Sequence, residues 1–178
     1  FVGLAMLTKG LVGVALVGVP FAVWLALERR LTLGLVSAGA LALMVGALLA
    51  WPWYAAMESA EPGYLRYYFL ERHVMGFATT SQVHGQRAWW YYLPVVAAGG
   101  LPWALYAPWA VRGHLAGRWN AGARLVWTWL LVDVVVLTIA RSKLATYVLP
   151  VCPAVAVLGA LVWDAWLDGI GRSRTRAQ

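Results

Sequence analysis

The sequence predicts an all-α integral membrane protein with about five transmembrane helices and one long, aromatic loop on the extracytoplasmic side. Of the 178 residues, 62% are hydrophobic and 12% are charged, and the mean hydropathy is +0.70. Soluble domains carry about 25% charged residues, so this chain is too apolar to stay soluble alone. Several apolar runs reach the length of about 20 residues that a helix needs to cross a bilayer.

The apolar runs give the position of each predicted span. Hydropathy places them at about 11–27, 31–51, 93–111, 123–140 and 147–167. These spans and their connections form a predicted transmembrane domain over residues 1–167, followed by a basic tail over 168–178. Residues 1–8 are the end of an earlier element or an interfacial piece that leads into the first span.

The positions of Lys and Arg predict the orientation, because short cytoplasmic loops carry an excess of both. With the turn at 28–30, the connection at 112–124 and the tail inside, eight of the 14 Lys and Arg residues are cytoplasmic. The loop 52–92 is then extracytoplasmic. The net charge of +7 is not gathered on one stripe, which argues against nucleic acid as a partner and for lipid headgroups.

Lys9 stands in the segment LTKG, at the outer end of the first span. One interpretation is an interfacial lysine whose ammonium reaches the headgroups. The other is a fixed positive charge at the lipid–water boundary that binds a phosphate. The neighbouring Gly10 and Gly13 would let a ligand or another helix approach closely.

The long loop contains a second group of candidate residues. Residues 63–77 have an amphipathic pattern that predicts a helix lying on the membrane surface. Glu71, Arg72 and His73 are either the wet face of that helix or a binding cluster. Arg72 and His73 could bind a phosphate, and Glu71 with His73 could hold a divalent metal ion.

Two further features lie in the last two spans. Lys143 and Tyr147, in the segment RSKLATYVLP, either anchor helix ends or hold an anion on the outer face. Asp133 lies near the middle of a predicted span, where carboxylates are costly and usually functional.

Three segments together resemble the lipid-linked-sugar glycosyltransferases of the GT-C superfamily, and most of all the bacterial 4-amino-4-deoxy-L-arabinose transferase and protein mannosyltransferase-like group. The segments are LTKGLVG at 7–13, the loop from PWY at 52–54 through PGYLRYYFLERH at 62–73 to WWYYLP at 89–94, and SKLATYVLP at 142–150. The resemblance implies a multi-pass enzyme of the bacterial inner membrane whose active site faces the periplasm. Such an enzyme transfers a sugar from a polyprenyl phosphate, undecaprenyl phosphate in bacteria, to an acceptor such as a lipid A phosphate.

The resemblance also implies roles for single residues. Lys9 would belong to the active-site cavity, His73 to a phosphate or divalent-metal site, and Lys143 and Tyr147 to the surroundings of the sugar and phosphate. The acidic base of the family is expected upstream of Phe1, so no catalytic base is assigned within the chain, which we expect to be an inactive fragment of a longer protein.

The chain departs from the family pattern at two positions. Gly76 stands where many members have an arginine, and Leu11 stands where proline commonly follows the LTKG-type motif.

Two alternatives stay open at the level of sequence. A relative similar to the protein O-mannosyltransferases would use the same donor chemistry on a Ser or Thr acceptor. A transporter or flippase would instead depend on Asp133.

The substitution Asp133→Asn separates the enzyme from the transporter. In the intact protein, we expect sugar transfer to change little, because the enzyme interpretation gives this carboxylate no role. Loss of substrate movement across reconstituted bilayers, with normal sugar transfer, would favour the transporter instead.

Overall fold

The computed structural model describes residues 1–75, 87–141 and 143–176, with side chains up to residue 168. Within these ranges all regular secondary structure is helical, which confirms the all-α class. The predicted loop over 52–92 is described only in part, and Gly76, considered in the sequence, lies outside the described residues. The basic tail is helical as far as Arg176.

Six α-helices make up most of the described chain. They are α1 (Val2–Leu27), α2 (Leu33–Ala60), α3 (Tyr92–Gly99), α4 (Ala107–Leu115), α5 (Ala121–Ile139) and α6 (Cys152–Arg176). Of the described helices, α1, α2 and α5 are long and apolar enough to cross a membrane. They overlap the predicted spans at 11–27, 31–51 and 123–140, but α1 begins earlier than predicted, and α2 continues to Ala60, into the segment predicted to be a loop.

The predicted span at 93–111 is not one continuous helix. Helix α3 ends at Gly99, a 3₁₀ turn follows at Trp103–Tyr106, and α4 begins at Ala107. Gly99 and Gly100 favour the end of a helix, and Pro102 cannot donate a backbone hydrogen bond. Hydropathy does not register these breaks, because all of these residues are apolar or small.

The chain divides into two compact units. Unit 1 contains 1–88 and 138–144, and unit 2 contains 89–137 and 145–178. Two buried apolar clusters hold unit 2 together. The larger consists of Tyr92, Leu137, Val148, Val151 and Val155, and the smaller of Ala110, Trp127 and Leu158.

In unit 1, α1 and α2 approach each other closely at a pair of glycines. A Cβ atom added to Gly46 would lie 2.7 Å from Val2 Cγ1 and 3.0 Å from the backbone nitrogen of Gly3. Helices in membranes associate through packing more than through the hydrophobic effect, so small residues at the contact are what allows it. The contact at Gly3 and Gly46 therefore fixes the approach of the two helices.

The substitution Gly46→Ala tests this contact. We expect it to lower the free energy of unfolding by about 1–3 kcal/mol, the usual cost of overpacking, because the new methyl group meets backbone atoms that cannot move aside. Thermal unfolding in detergent measures the effect. Gly39→Ala in the same helix is the matched control, since a Cβ there meets nothing within 4 Å. Equal stability of the two variants would contradict this account.

Candidate functional site

The candidate site begins at a break in α1. Gly10 has φ 63° and ψ −147°, a conformation that is not helical and that is essentially restricted to glycine. The break separates residues 2–9 from the apolar remainder of α1. That residues 1–8 are a piece separate from the first membrane span stays a prediction.

Side-chain hydroxyl groups donate to backbone carbonyls of the turn that precedes the break. The Tyr54 hydroxyl donates to the Met6 carbonyl at 2.6 Å, and the Thr8 hydroxyl donates to the carbonyls of Leu4 and Ala5 at 2.9 and 3.2 Å. Tyr54 belongs to α2 and is only 5% exposed, so its contact with Met6 joins α2 to the turn that carries Lys9.

The second part of the site is a π-helix over Arg66–Met75, within the segment predicted to be an amphipathic helix. The Glu58 carboxylate accepts hydrogen bonds from the backbone N–H groups of Gly63 and Leu65, at 2.9 and 2.8 Å, just before it begins. The aromatic rings of the π-helix pack against α2. The ring centroid of Phe69 in the π-helix lies 5.1 Å from that of Tyr54 in α2. The placement of this helix on a membrane surface stays a prediction.

His73 connects the π-helix to the break in α1. Its Nδ1 lies 2.6 Å from the Tyr68 carbonyl and its Nε2 lies 3.3 Å from the Lys9 carbonyl. Carbonyl oxygens only accept, so both contacts are made together only when both ring nitrogens carry a proton. The structure thus brings together Lys9 and His73, which lie 64 residues apart in the sequence.

The fit of His73 explains the glycine at position 10. A Cβ atom there would lie 2.8 Å from His73 Cε1 and 2.9 Å from Tyr68 Oη, and closer still to His73 Nε2. Tyr68 in turn packs on the imidazole with ring centroids 4.6 Å apart. Both the backbone conformation and the lack of a side chain at Gly10 are therefore needed for this contact.

The π-helix and the residues just before it carry charges of both signs. The Glu58 carboxylate precedes the helix, and Glu71 and Arg72 lie next to each other within it. The exposed Arg72 donates to the Tyr67 hydroxyl at 3.4 Å. Burial, and next the neighbouring Tyr68, raise the pKa of the Tyr64 phenol, so this group stays neutral.

The predicted metal ligands do not fit a metal ion as they are arranged here. Both nitrogens of His73 face carbonyl oxygens, so neither offers a lone pair while these contacts are made. Among the described residues, no group of three or more His, Cys, Asp or Glu side chains could hold a metal. A metal site at Glu71 and His73 stays a prediction from the sequence.

Lys143 and Tyr147 lie in different units. Lys143 belongs to unit 1, as Lys9 does; it is 7% exposed, and its Nζ donates to the Ala140 carbonyl at 2.6 Å. Tyr147 lies in a 3₁₀ turn of unit 2, Ala145–Val148, and packs against the larger apolar cluster. The same turn lines an open groove of about 510 Å³, almost wholly apolar.

Asp133 is fully buried on α5. Its Oδ2 accepts a hydrogen bond from Trp129 Nε1 at 2.9 Å, one helical turn away. Its Oδ1 has no hydrogen-bond partner among the described residues. The carboxylate therefore has a local partner in its own helix, which sequence reasoning did not anticipate.

Sequence reasoning also missed the residues that support the site. Tyr54, Tyr68 and Glu58 were not singled out, although Tyr54 stands in the PWY segment. The signal that could have found Tyr54 is a phenol within an apolar helix, since a buried hydroxyl needs a partner. Its partner is a backbone carbonyl, however, which no residue pattern reveals.

Curated proteins that share one name are similar to this chain over most of its length. A curated undecaprenyl phosphate-alpha-4-amino-4-deoxy-L-arabinose arabinosyl transferase from Shewanella sediminis is 35% identical over 162 residues, which cover 89% of this chain and 29% of that protein. One of the same name from Aeromonas hydrophila is 35% identical over 183 residues, covering 94% and 33%. No family model matches the chain.

A solved structure agrees with these relatives. A crystal structure of ArnT from Cupriavidus metallidurans bound to undecaprenyl phosphate has a TM-score of 0.76 and 32% identity, over 92% of this chain and 29% of that one. The chain resembles one segment of these transferases. The resemblance inferred from the three motifs is confirmed, as is the multi-pass membrane character. The chain spans about three tenths of the length of the curated relatives it matches.

The substitution Gly10→Ala tests the docking of His73 at the break. We expect a methyl group to push the imidazole away from the Lys9 carbonyl and to speed hydrogen–deuterium exchange over Arg66–Met75. Gly18→Ala in the same helix is the control, because a Cβ there meets nothing within 4 Å. Exchange over Arg66–Met75 that is as slow as in the wild type would show that the fit does not depend on Gly10.

Proposed function

We propose that this chain forms part of the extracytoplasmic active site of a membrane glycosyltransferase. The enzyme would take a sugar from an undecaprenyl phosphate donor and transfer it to a lipid A-type acceptor. The observation that carries the proposal is the joining of the Lys9 turn to His73 at the Gly10 break. It brings a lysine and an imidazole from segments 64 residues apart together at one break in the backbone.

This arrangement suits a reaction whose leaving group is a phosphate. As the bond to the sugar breaks, negative charge develops on the phosphate oxygens, and fixed cations stabilise that charge. The Lys9 side chain is exposed while its backbone is held in place. Its ammonium can therefore reach a ligand from a Cα atom of fixed position. Charge-assisted hydrogen bonds of this kind are about twice as strong as neutral ones.

Two other cations of unit 1 extend the same chemistry. Arg72 adjoins His73 on the π-helix and is exposed. Lys143 is almost buried and gives one of its three ammonium protons to Ala140. A buried ammonium is costly unless further acceptors surround it, and phosphate oxygens would supply them. We assign Lys9, Arg72 and Lys143 to phosphate binding, and Tyr147 to the same substrate on the evidence of its motif alone. His73, whose two ring nitrogens both face carbonyl oxygens, would act by holding the Lys9 turn.

The relatives support the choice of donor. The curated relatives are named as transferases of 4-amino-4-deoxy-L-arabinose that use undecaprenyl phosphate, and the similar crystal structure contains undecaprenyl phosphate. By this likeness the enzyme would reside in the bacterial inner membrane with its site facing the periplasm.

The alternatives have less support. The names of the relatives specify aminoarabinose as the sugar that is transferred. They do not point to a protein O-mannosyltransferase, whose acceptors are Ser or Thr. A transporter built on Asp133 would need that carboxylate free to exchange protons or ions, whereas it is fully buried and accepts a hydrogen bond from Trp129.

The substitution Lys9→Ala tests the proposed function. In the intact protein, we expect transfer of aminoarabinose from undecaprenyl phosphate to lipid A to fall by about 100-fold or more, the usual effect of removing one preorganised donor. Membrane insertion should not change, because the side chain is exposed. Arg112→Ala, which removes another exposed cation, should transfer at the wild-type rate. Wild-type turnover by Lys9→Ala would overturn the assignment.

A further inference from the structure

We propose that Tyr54 is a positioning residue for Lys9, and that its hydroxyl acts on the substrate phosphate only through the lysine. The inference rests on the proposed function, in which the Lys9 ammonium binds that phosphate. It adds a residue of α2 that none of the three motif arguments assigned to the site.

The Tyr54 hydroxyl in α2 donates to a backbone carbonyl of α1. Tyr54 is 5% exposed and its single hydroxyl proton goes to the Met6 carbonyl at 2.6 Å, three residues before Lys9. A carbonyl oxygen has two lone pairs, so Met6 can accept this bond beside one within its own helix. The bond runs from α2 to the turn that precedes the Gly10 break, and it therefore holds that turn against α2.

The backbone around Lys9 is held from two sides. Tyr54 holds the backbone before it, and His73 Nε2 lies 3.3 Å from the carbonyl of Lys9 itself. The two supports are also joined to each other. Tyr54 and Tyr68 have ring centroids 5.8 Å apart, and Tyr68 packs on His73 at 4.6 Å.

The support of the backbone determines where the Lys9 ammonium can reach. A lysine side chain has four flexible carbons, so its reach depends on where its Cα is fixed. If Tyr54 no longer held the Met6 carbonyl, the turn could shift relative to α2, although the lysine would keep its charge. Misplacement of about 1 Å in a binding group can reduce activity by about 100-fold.

A double-mutant cycle with Lys9→Ala tests the inference. Tyr54→Phe keeps the ring that packs on Phe69 and Tyr68 and removes only the hydroxyl. The measured quantity is the dissociation constant of undecaprenyl phosphate for the intact protein in detergent. We expect Tyr54→Phe to weaken binding by about tenfold when Lys9 is present, and to have no further effect in the Lys9→Ala background.

Three additional variants make the cycle specific. Tyr106→Phe, in unit 2, removes a phenol hydroxyl elsewhere and should bind like the wild type. The amino group of 4-aminophenylalanine at position 54 can donate to the Met6 carbonyl, so this variant should restore most of the affinity. If Tyr54→Phe does not fold, 4-methylphenylalanine, which keeps the size without the donor, replaces it in the cycle.

The outcomes distinguish this inference from the proposed function. Equal weakening by Tyr54→Phe with and without Lys9 would overturn the positioning role, since a merely structural loss acts the same in both backgrounds. Failure of 4-aminophenylalanine to restore affinity would also overturn it. If Lys9→Ala itself left the dissociation constant unchanged, the proposed function would fail first.

Discussion

A backbone carbonyl that loses its helical partner inside a membrane protein must find another donor, and much of unit 1 follows from this constraint. The break at Gly10 leaves carbonyls near Lys9 that cannot be paired within α1. His73 of the π-helix lies against the carbonyl of Lys9, and Tyr54 of α2 donates to the carbonyl of Met6 in the preceding turn, so each contact fixes a segment of chain against the break. The residues that satisfy the backbone are thus the residues that hold the Lys9 turn still.

The same constraint explains why aromatic side chains dominate this region. A phenol or an imidazole combines a polar atom with a ring that packs well, so one side chain satisfies a carbonyl and fills the space beside it. Tyr54, Tyr68 and His73 all do this, with their rings in mutual contact. A Ser or Lys side chain could donate to a carbonyl equally well, but it would leave the gap between α2 and the π-helix unfilled.

The sequence predicted the all-α membrane class, three of its long helices and the candidates Lys9 and His73, because these depend on local patterns. Apolar runs are visible one residue at a time, and the LTKG-type and SKLxTYxLP-type segments are contiguous. Tyr54 escaped because its partner, the carbonyl of Met6, is a backbone atom that carries no residue signature. The interruption of the predicted span at 93–111 escaped because Gly99, Gly100 and Pro102 change the backbone while hardly changing the hydropathy.

The π-helical form of Arg66–Met75 has a consequence for how this segment can vary among related sequences. A π-helix has more residues per turn than an α-helix. A single inserted residue commonly accounts for the difference between the two forms. Deleting one residue before His73 would let the segment relax to α-helix and turn the imidazole by about 100° around the helix axis. The ring would then leave the Lys9 carbonyl although every aromatic residue type was kept. The number of residues between Gly63 and His73, and not only the types of their side chains, therefore decides whether the imidazole meets the Lys9 carbonyl.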